Sequence, residues 1–238
     1  MKFLWLLASA ASACAQIQPP QLGVMLAPDR SARPVYGVTG SVTLGAPAAT
    51  GILSLGCSKL LCLMKTDSSI LSPSGIAAAP KGPAWFSFNG DSALVYIPQV
   101  RQLARWHDNQ LDPVDFDVPG EILAVRGAPD QITFAIRNDA GVWIVGPGNT
   151  VLQSLPGATG PVLLLDNGGV LFASSDALIL RRPNTSDLRF ETGPVASLAW
   201  LGEHYVQVGV QARTRESNYA LRIDAGHERL FLLPEPAQ

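Results

Sequence analysis

Five stretches of this sequence resemble one another and recur at intervals of about 34 to 40 residues. Each begins with a short apolar segment, passes through a polar turn into a second apolar segment, and ends with one or two more. The turns are Gly56-Cys57-Ser58, Asn89-Gly90-Asp91, Ala128-Pro129-Asp130, Asp166-Asn167-Gly168 and Leu201-Gly202-Glu203. A repeat of this length, built from short segments, is typical of architectures in which similar units pack side by side.

The segments within each unit have the composition of β-strands. Ser92–Ile97 is rich in β-branched and aromatic residues, and Pro161–Leu165 is apolar without any alternation. A strand that is apolar on both faces must be covered on both faces, and blades stacked around an axis supply that cover. No window combines helical periodicity with capping signals. The sequence therefore predicts an all-β fold, a β-propeller of about five to six four-stranded blades.

The number of blades depends on the N-terminal residues. Two short strands, Leu22–Leu26 and Pro34–Val38, precede the five units, of which residues 51–79 are the faintest copy. The five units close as five blades, or as six when the N-terminal pair contributes most of another. Closure with strands from both chain ends avoids exposed sheet edges. An incompletely closed ring is the remaining alternative.

One unit resembles a known class of propeller repeats. Residues 84–95 contain Trp85, Phe86, Ser87 and Phe88 before the Asn89-Gly90-Asp91 turn, and the unit continues to Arg105-Trp106. This pattern is similar to WD-type and TolB-like repeats, which place an aromatic-Ser-x-Asp/Asn-Gly turn before an apolar strand. The resemblance implies a rigid platform for partners or, in some members, an enzyme, and fold resemblance alone chooses neither.

The composition narrows the classes of partner. The 238 residues contain 17 Lys and Arg against 19 Asp and Glu, giving a formal charge of -2, with 47% hydrophobic and 15% charged residues. No basic run is long enough to neutralise several phosphates, so the sequence argues against nucleic acid as a partner. No histidine spacing indicates a metal site, and no motif indicates a nucleotide or another cofactor.

The N-terminus has the pattern of a targeting segment. Lys2 precedes the apolar run Phe3–Ala8, and Ala13-Cys14-Ala15 has the small residues of a cleavage site. The roughly 11 apolar or small residues that follow Lys2 are too few for a transmembrane span, which needs about 20. We therefore expect a signal peptide at 1–15, a flexible leader at 16–21, a single propeller domain at 22–238, and a periplasmic or extracellular product.

The three cysteines raise two separate questions. Ala11-Ser12-Ala13-Cys14 resembles a bacterial lipobox, which would make Cys14 a lipid anchor, although the pattern prefers Leu where this chain has Ala11. Cys57 and Cys62 form an even pair in an oxidising compartment. Five residues of extended strand would hold them beyond the Cα separation of about 5.5 Å that a disulfide needs, so we expect two free thiols.

Four acidic residues occupy corresponding places in the inner turns of the units: Asp91, Asp130, Asp166 and Glu203. In a closed ring these turns lie on one face, where carboxylates that converge could bind a cation or provide an acid/base pair for glycosidic chemistry. The simpler interpretation is that Asp and Asn beside Gly are the residues that tight turns favour. The first unit has Ser58-Lys59 there instead.

Aromatic and basic residues are the other candidates for binding. Trp85 and Trp106 lie in predicted strands, where they stack on a ligand or fill the space between blades. Arg181 and Arg182 form a small basic cluster that contacts a partner or is simply solvated. The sequence favours an exported non-enzymatic platform for a protein partner or small ligand. A propeller enzyme acting on carbohydrate is the alternative.

Overall fold

The computed structural model describes residues 19–128, 131–211 and 216–236. These residues form six antiparallel sheets that follow one another along the chain, and two 3-10 turns lie at Pro98–Val100 and Pro147–Asn149. The sheets are the blades of a β-propeller ring, so the predicted all-β propeller is confirmed, with six blades. Within the described residues, no helix is long and apolar enough to cross a membrane.

Blade 1 contains β1 (Gln21–Leu26), β2 (Ala32–Val38) and β3 (Ser41–Leu44). Blade 2 contains β4 (Ser54–Cys57), β5 (Cys62–Lys65), β6 (Ser69–Ser72) and β7 (Gly75–Ala78). Blade 3 contains β8 (Trp85–Asn89), β9 (Ser92–Ile97), β10 (Gln102–His107) and β11 (Gln110–Val114).

Blade 4 contains β12 (Glu121–Ala128), β13 (Gln131–Asn138), β14 (Gly141–Val145) and β15 (Val151–Ser154). Blade 5 contains β16 (Val162–Leu164), β17 (Val170–Ala173), β18 (Ala177–Arg181) and β19 (Leu188–Glu191). Blade 6 contains β20 (Val195–Gly202), β21 (Tyr205–Gln211), β22 (Glu216–Arg222) and β23 (Arg229–Leu232).

The ring is closed by apolar packing between neighbouring blades. Six clusters of buried side chains lie between the blades, and each cluster is shared by two adjacent blades. Met25 and Val35 of blade 1 pack with Leu201 and Phe231 of blade 6. On the other side of blade 1, the buried Ala32 packs in a cluster with residues of blade 2. The described strands therefore leave no apolar blade face without a neighbour.

The first strands of blades 2 to 6 lie innermost and run in one direction along the axis. Ser54 at the start of β4 accepts a hydrogen bond of 2.8 Å from the backbone N–H of Ala84, just before β8. Arg126 near the end of β12 lies 3.4 Å from Asp166, just after β16. We call the side where these strands begin the entry face, and the side of the turns that follow them the exit face.

Strand β1 runs in the opposite direction to its neighbour β20. Leu22 and Gly23, early in β1, lie against Leu201 and Gly202 at the end of β20. Leu26, at the end of β1, bonds to Gln207, which lies opposite Ala199 in the middle of blade 6. Because strand direction alternates within an antiparallel blade, β1 corresponds to the second strand of the other blades.

Blade 1 therefore has no innermost strand among the described residues. On the axial side of β1, the innermost strands β4 and β20 contact each other directly, and Lys59 after β4 lies 3.6 Å from Glu203 after β20. The sequence predicted β1 and β2 but not β3, and it did not reveal that this blade holds three strands. The reason is that strand direction relative to a distant blade is a tertiary property.

The expectation of two free thiols is wrong. Cys57 at the end of β4 and Cys62 at the start of β5 form a disulfide, with their Cα atoms 4.0 Å apart. The two residues face each other across a hairpin, because the chain reverses direction through the turn from Ser58 to Leu61. The distance argument assumed a single extended strand, and the turn removes that assumption.

We predict that Cys57 and Cys62 resist alkylation until the protein is reduced. Iodoacetamide added to the unfolded, unreduced chain should leave the peptides containing both residues unmodified, since no thiolate is present in a disulfide. Dithiothreitol should expose both to labelling. Peptide mass spectrometry measures this, and labelling of either residue before reduction would contradict the disulfide.

We also predict that the seam between blades 1 and 6 does not tolerate a side chain at Gly23. A Cβ at Gly23 would lie 1.8 Å from the carbonyl oxygen of Leu201, so Gly23→Ala must displace backbone. The matched variant Gly141→Ala shares a positive φ but has open space around its Cβ. In denaturant unfolding, the free energy of unfolding of Gly23→Ala should be lower than that of Gly141→Ala by about 2 kcal/mol. Equal midpoints would be inconsistent with this close packing.

Candidate functional site

An apolar cavity lies at the axis and reaches the entry face. Its volume is about 810 Å³, within the range of small-molecule and peptide sites. Half-exposed apolar side chains contributed by blades 2 to 6 line its wall: Leu53, Trp85, Leu123, Leu163, Leu198 and Trp200. The indole of Trp85 packs on the ring of Tyr96, with centroids 5.4 Å apart, so one aromatic wall is held rigidly.

A few polar groups surround this apolar wall. Arg137 is held in place by Glu121 at 3.1 Å and by the carbonyl oxygen of Gly160. Arg30 is exposed in the turn after β1, where it adopts a left-handed backbone conformation with φ of 59°. The backbone carbonyl of Arg30 accepts a hydrogen bond of 2.9 Å from Ile52, which anchors this turn to blade 2. The cavity is thus apolar with charged groups at its rim.

The cavity extends outward between blades 1 and 6. Its lining includes Leu26 at the end of β1, Ala27 just after it, Gln207 from β21 and Glu216 from β22. We call these four residues the seam groove. This extension lies where blade 1 has no innermost strand among the described residues, so the three-stranded blade accounts for the shape of the cavity.

The acidic turns lie on the exit face, away from the cavity lining. Asp91 is exposed, and the Asp166 side chain is 83% exposed beside Arg126. Glu203 lies within 4 Å of Lys59 and of His204. Asp130 lies outside the described residues. In the part of the chain that the structure describes, no group of three or more His, Cys, Asp or Glu is placed to hold a metal ion.

The two tryptophans proposed for binding occupy different environments. Trp85 lines the cavity and is half-exposed. Trp106 is 2% exposed and packs in the cluster between blades 2 and 3, with Leu63 and Val95 among its neighbours. The structure therefore makes Trp85 accessible to a ligand and gives Trp106 the inter-blade position that the sequence offered as the alternative.

The two neighbouring arginines hold the outer parts of blades 5 and 6. Arg181 donates two hydrogen bonds to Asp187, at 2.9 and 2.6 Å, and its guanidinium lies 5.4 Å from the centre of the Phe172 ring. These hydrogen bonds lower the pKa of Asp187, because they stabilise the ionised carboxylate. Arg182 forms an ion pair with Glu228 and donates to the carbonyl oxygen of Ile223. Neither arginine is among the residues that line the cavity.

Sequence reasoning missed most of the cavity. The sequence marked three lining residues as strand residues and not as a site: Leu123, Leu163 and Leu198. All three lie in the first strand of their units. Because the first strand of each unit lies innermost in the ring, an alignment of the units could have identified them. Gln207 and Arg30 carry no such signal, since their positions depend on how blade 1 packs against its neighbours.

No protein-family model matches the chain, and no curated protein sequence matches it either. Solved structures do resemble it. A chain in the crystal structure of a nidogen/laminin complex aligns with a TM-score of 0.58 and 10% identity, over 90% of this chain and 93% of that one. Likeness at this identity shows a common fold and nothing finer.

Two further structures align less well. PorZ, a bacterial surface component of the type-IX secretion system of Porphyromonas gingivalis, aligns with a TM-score of 0.47 and 13% identity over 87% of this chain. The alignment covers 31% of the PorZ chain, so the present chain spans about a third of its length. The computationally designed protein Ika8 aligns with a TM-score of 0.43 and 14% identity, over 86% of this chain and 69% of that one.

Proposed function

We propose that this chain is an exported, non-enzymatic β-propeller that binds a protein partner or a small ligand in its axial cavity. The observation that carries the proposal is the apolar cavity of about 810 Å³ on the entry face, with Trp85 and Trp200 in its wall. Burial of such a wall against an apolar ligand is favourable, and the charged rim residues Arg30 and Glu216 would orient it.

Two observations support export. The sequence of residues 1–15 has the organisation of a signal peptide, and the Cys57–Cys62 disulfide is of the kind that persists in oxidising compartments. A soluble periplasmic or extracellular product follows from cleavage after Ala15. A lipid anchor at Cys14 is the alternative form of the same proposal. Residues 1–18, including Cys14, lie outside the described residues.

The resemblance of residues 84–95 to WD-type and TolB-like repeats supports a platform role. The nidogen/laminin structure, which shares the fold, is itself a complex between proteins. The carbohydrate-enzyme alternative has less support, because glycoside hydrolysis generally uses two carboxylates flanking one bond. In the described lining of the cavity, Glu216 is the one carboxylate, and Asp91, Asp166 and Glu203 lie at the other face.

We predict that a charge placed in the cavity abolishes binding without unfolding the ring. Leu53 lines the cavity, is half-exposed and belongs to none of the buried clusters, so Leu53→Arg should preserve the fold. An uncompensated guanidinium in an apolar site costs several kcal/mol on binding of an apolar group. Partner or ligand capture from extracts of the producing cells, measured by mass spectrometry, should therefore fall at least tenfold.

The matched control is Leu60→Arg. Leu60 belongs to the same blade, lies in the turn on the exit face and is 68% exposed, so the same change there should leave capture intact. Circular dichroism and the melting temperature confirm that both variants fold. Capture that survives Leu53→Arg, or that is lost equally in both variants, would place binding elsewhere and refute the cavity as the site.

A further inference from the structure

The polar side of the axial cavity lies on one face of blade 6. Ser197 of β20 is opposite Gly209 of β21, and Gly209 is opposite Asn218 of β22. Directly opposite residues of an antiparallel sheet point to the same face, and so do residues two apart in one strand, which adds Glu216 of β22 to this set. Ser197 and Glu216 are exposed and line the cavity. Blade 6 therefore brings a hydroxyl and a carboxylate to the same part of the cavity.

These two groups converge over a glycine. A Cβ added at Gly209 would lie 2.2 Å from Oγ of Ser197 and 3.2 Å from Oε1 of Glu216, so both oxygens occupy the space above the Gly209 backbone. Neither side chain has a hydrogen bond or an ion pair with another group of the described residues. Two oxygens that lie this close together without a partner can both accept hydrogen bonds from one cationic group.

The other side chains of the seam groove leave no hydrogen to donate. Nε2 of Gln207 donates to the carbonyl oxygen of Leu26 at 2.7 Å and to Oδ1 of Asn218 at 2.6 Å, which uses both hydrogens of the amide. Leu26 and Ala27, on the opposite side of the groove, contribute apolar side chains. Glu216 is thus the one charged member of the groove, and the groove complements a ligand group that donates hydrogen bonds and carries positive charge.

The competing charges in the described lining of the cavity are Arg30 and Arg137. Arg137 is neutralised by Glu121 at 3.1 Å. Arg30 has no side-chain partner among the described residues, but it lies in the exposed turn after β1. Glu216 belongs to a strand and pairs in the ladder with β21. Groups on strands are positioned more precisely than groups on turns, so Glu216 is the better-placed charge for recognition of a ligand.

We propose that the cavity binds an apolar ligand that carries a protonated primary amine. This proposal rests on the proposed function and names the class of its ligand. The ammonium group lies between Glu216 and Ser197, which accept its hydrogen bonds, and the apolar body lies against the half-exposed wall that includes Trp200. An alkyl amine is protonated at pH 7, as a lysine side chain is, and hydrogen bonds between charged groups are stronger than those between neutral groups.

Three probes with the same apolar body test the charge of the ligand. Tryptamine carries an ammonium, tryptophol a hydroxyl and indole-3-propionate a carboxylate, each at the end of the same two-carbon chain on an indole. Isothermal titration calorimetry with the full chain at pH 7 measures their affinities. We expect tryptamine to bind at least tenfold more tightly than either of the others. Equal affinities, tighter binding of indole-3-propionate or absence of tryptamine binding would overturn the inference.

Glu216→Gln tests the residue that recognises the amine. The variant keeps the size of an exposed side chain and removes its charge, so tryptamine should bind at least tenfold more weakly while tryptophol binds as before. The matched control is Asp91→Asn, which removes a negative charge from an exposed turn on the exit face and should change neither affinity. Glu216→Lys should reverse the preference, so that indole-3-propionate binds more tightly than tryptamine. Equal effects of Glu216→Gln and Asp91→Asn would contradict the site.

The same amine occurs in a free small molecule and at the amino terminus of a polypeptide. A pentapeptide that begins with tryptophan, titrated with its amino terminus free and acetylated, separates these sources. Tighter binding of tryptamine than of the free peptide indicates a small molecule, the reverse indicates a polypeptide, and either supports the proposal. Peptide binding that survives acetylation unchanged would count against it.

The outcome for the proposed function is read separately. Failure of the amine series, with capture still sensitive to Leu53→Arg, overturns this inference alone. Loss of that sensitivity refutes the proposed function as well.

Discussion

Each blade of this ring is apolar on both of its faces, so a blade is stable only when both neighbours cover it. The six shared clusters cover every blade face around the ring. Cover is hardest to provide on the two sides of blade 1, where its clusters with blades 6 and 2 lie. There, a sheet of three strands must fill the space that four strands fill elsewhere. Direct backbone packing of Gly23 on Leu201 closes half of that space, and the amide of Gln207 satisfies the strand edge in the other half.

Much of the ring could be predicted because its strands are specified locally. The predicted segment Ser92–Ile97 coincides with β9, because the glycine-containing turn Asn89-Gly90-Asp91 precedes this apolar run. Strand β3 escaped prediction because Gly37, Gly40 and Gly45 obscure a short segment whose pairing with β2 is what defines it. The all-β propeller class followed from the pattern, which left the count at five to six blades; that there are six, and that blade 1 has three strands, did not follow from it.

The candidate site was harder to predict, because it depends on which residues meet across the ring. Asp91, Asp166 and Glu203 were attractive as a set, but the same turn position that aligns them also places them on exposed hairpin tips. Turn chemistry accounts for acids there without any function. The Cys57–Cys62 pair shows the converse error, since a local chain reversal joined two residues that an extended strand would separate.

The position of the cavity follows from the same constraint that closes the ring. The cavity lies among the innermost strands and extends outward past Leu26, Gln207 and Glu216, at the seam where blade 1 has three strands. Because blade 1 has three strands, its outer strands pack as in the other blades, but no innermost strand lies at its axial end among the described residues. The void that results is bordered by an apolar wall and a strand edge held by one side-chain amide. A site of that kind favours ligands with an apolar body that fills the wall and a few polar groups that meet the charged residues at the rim.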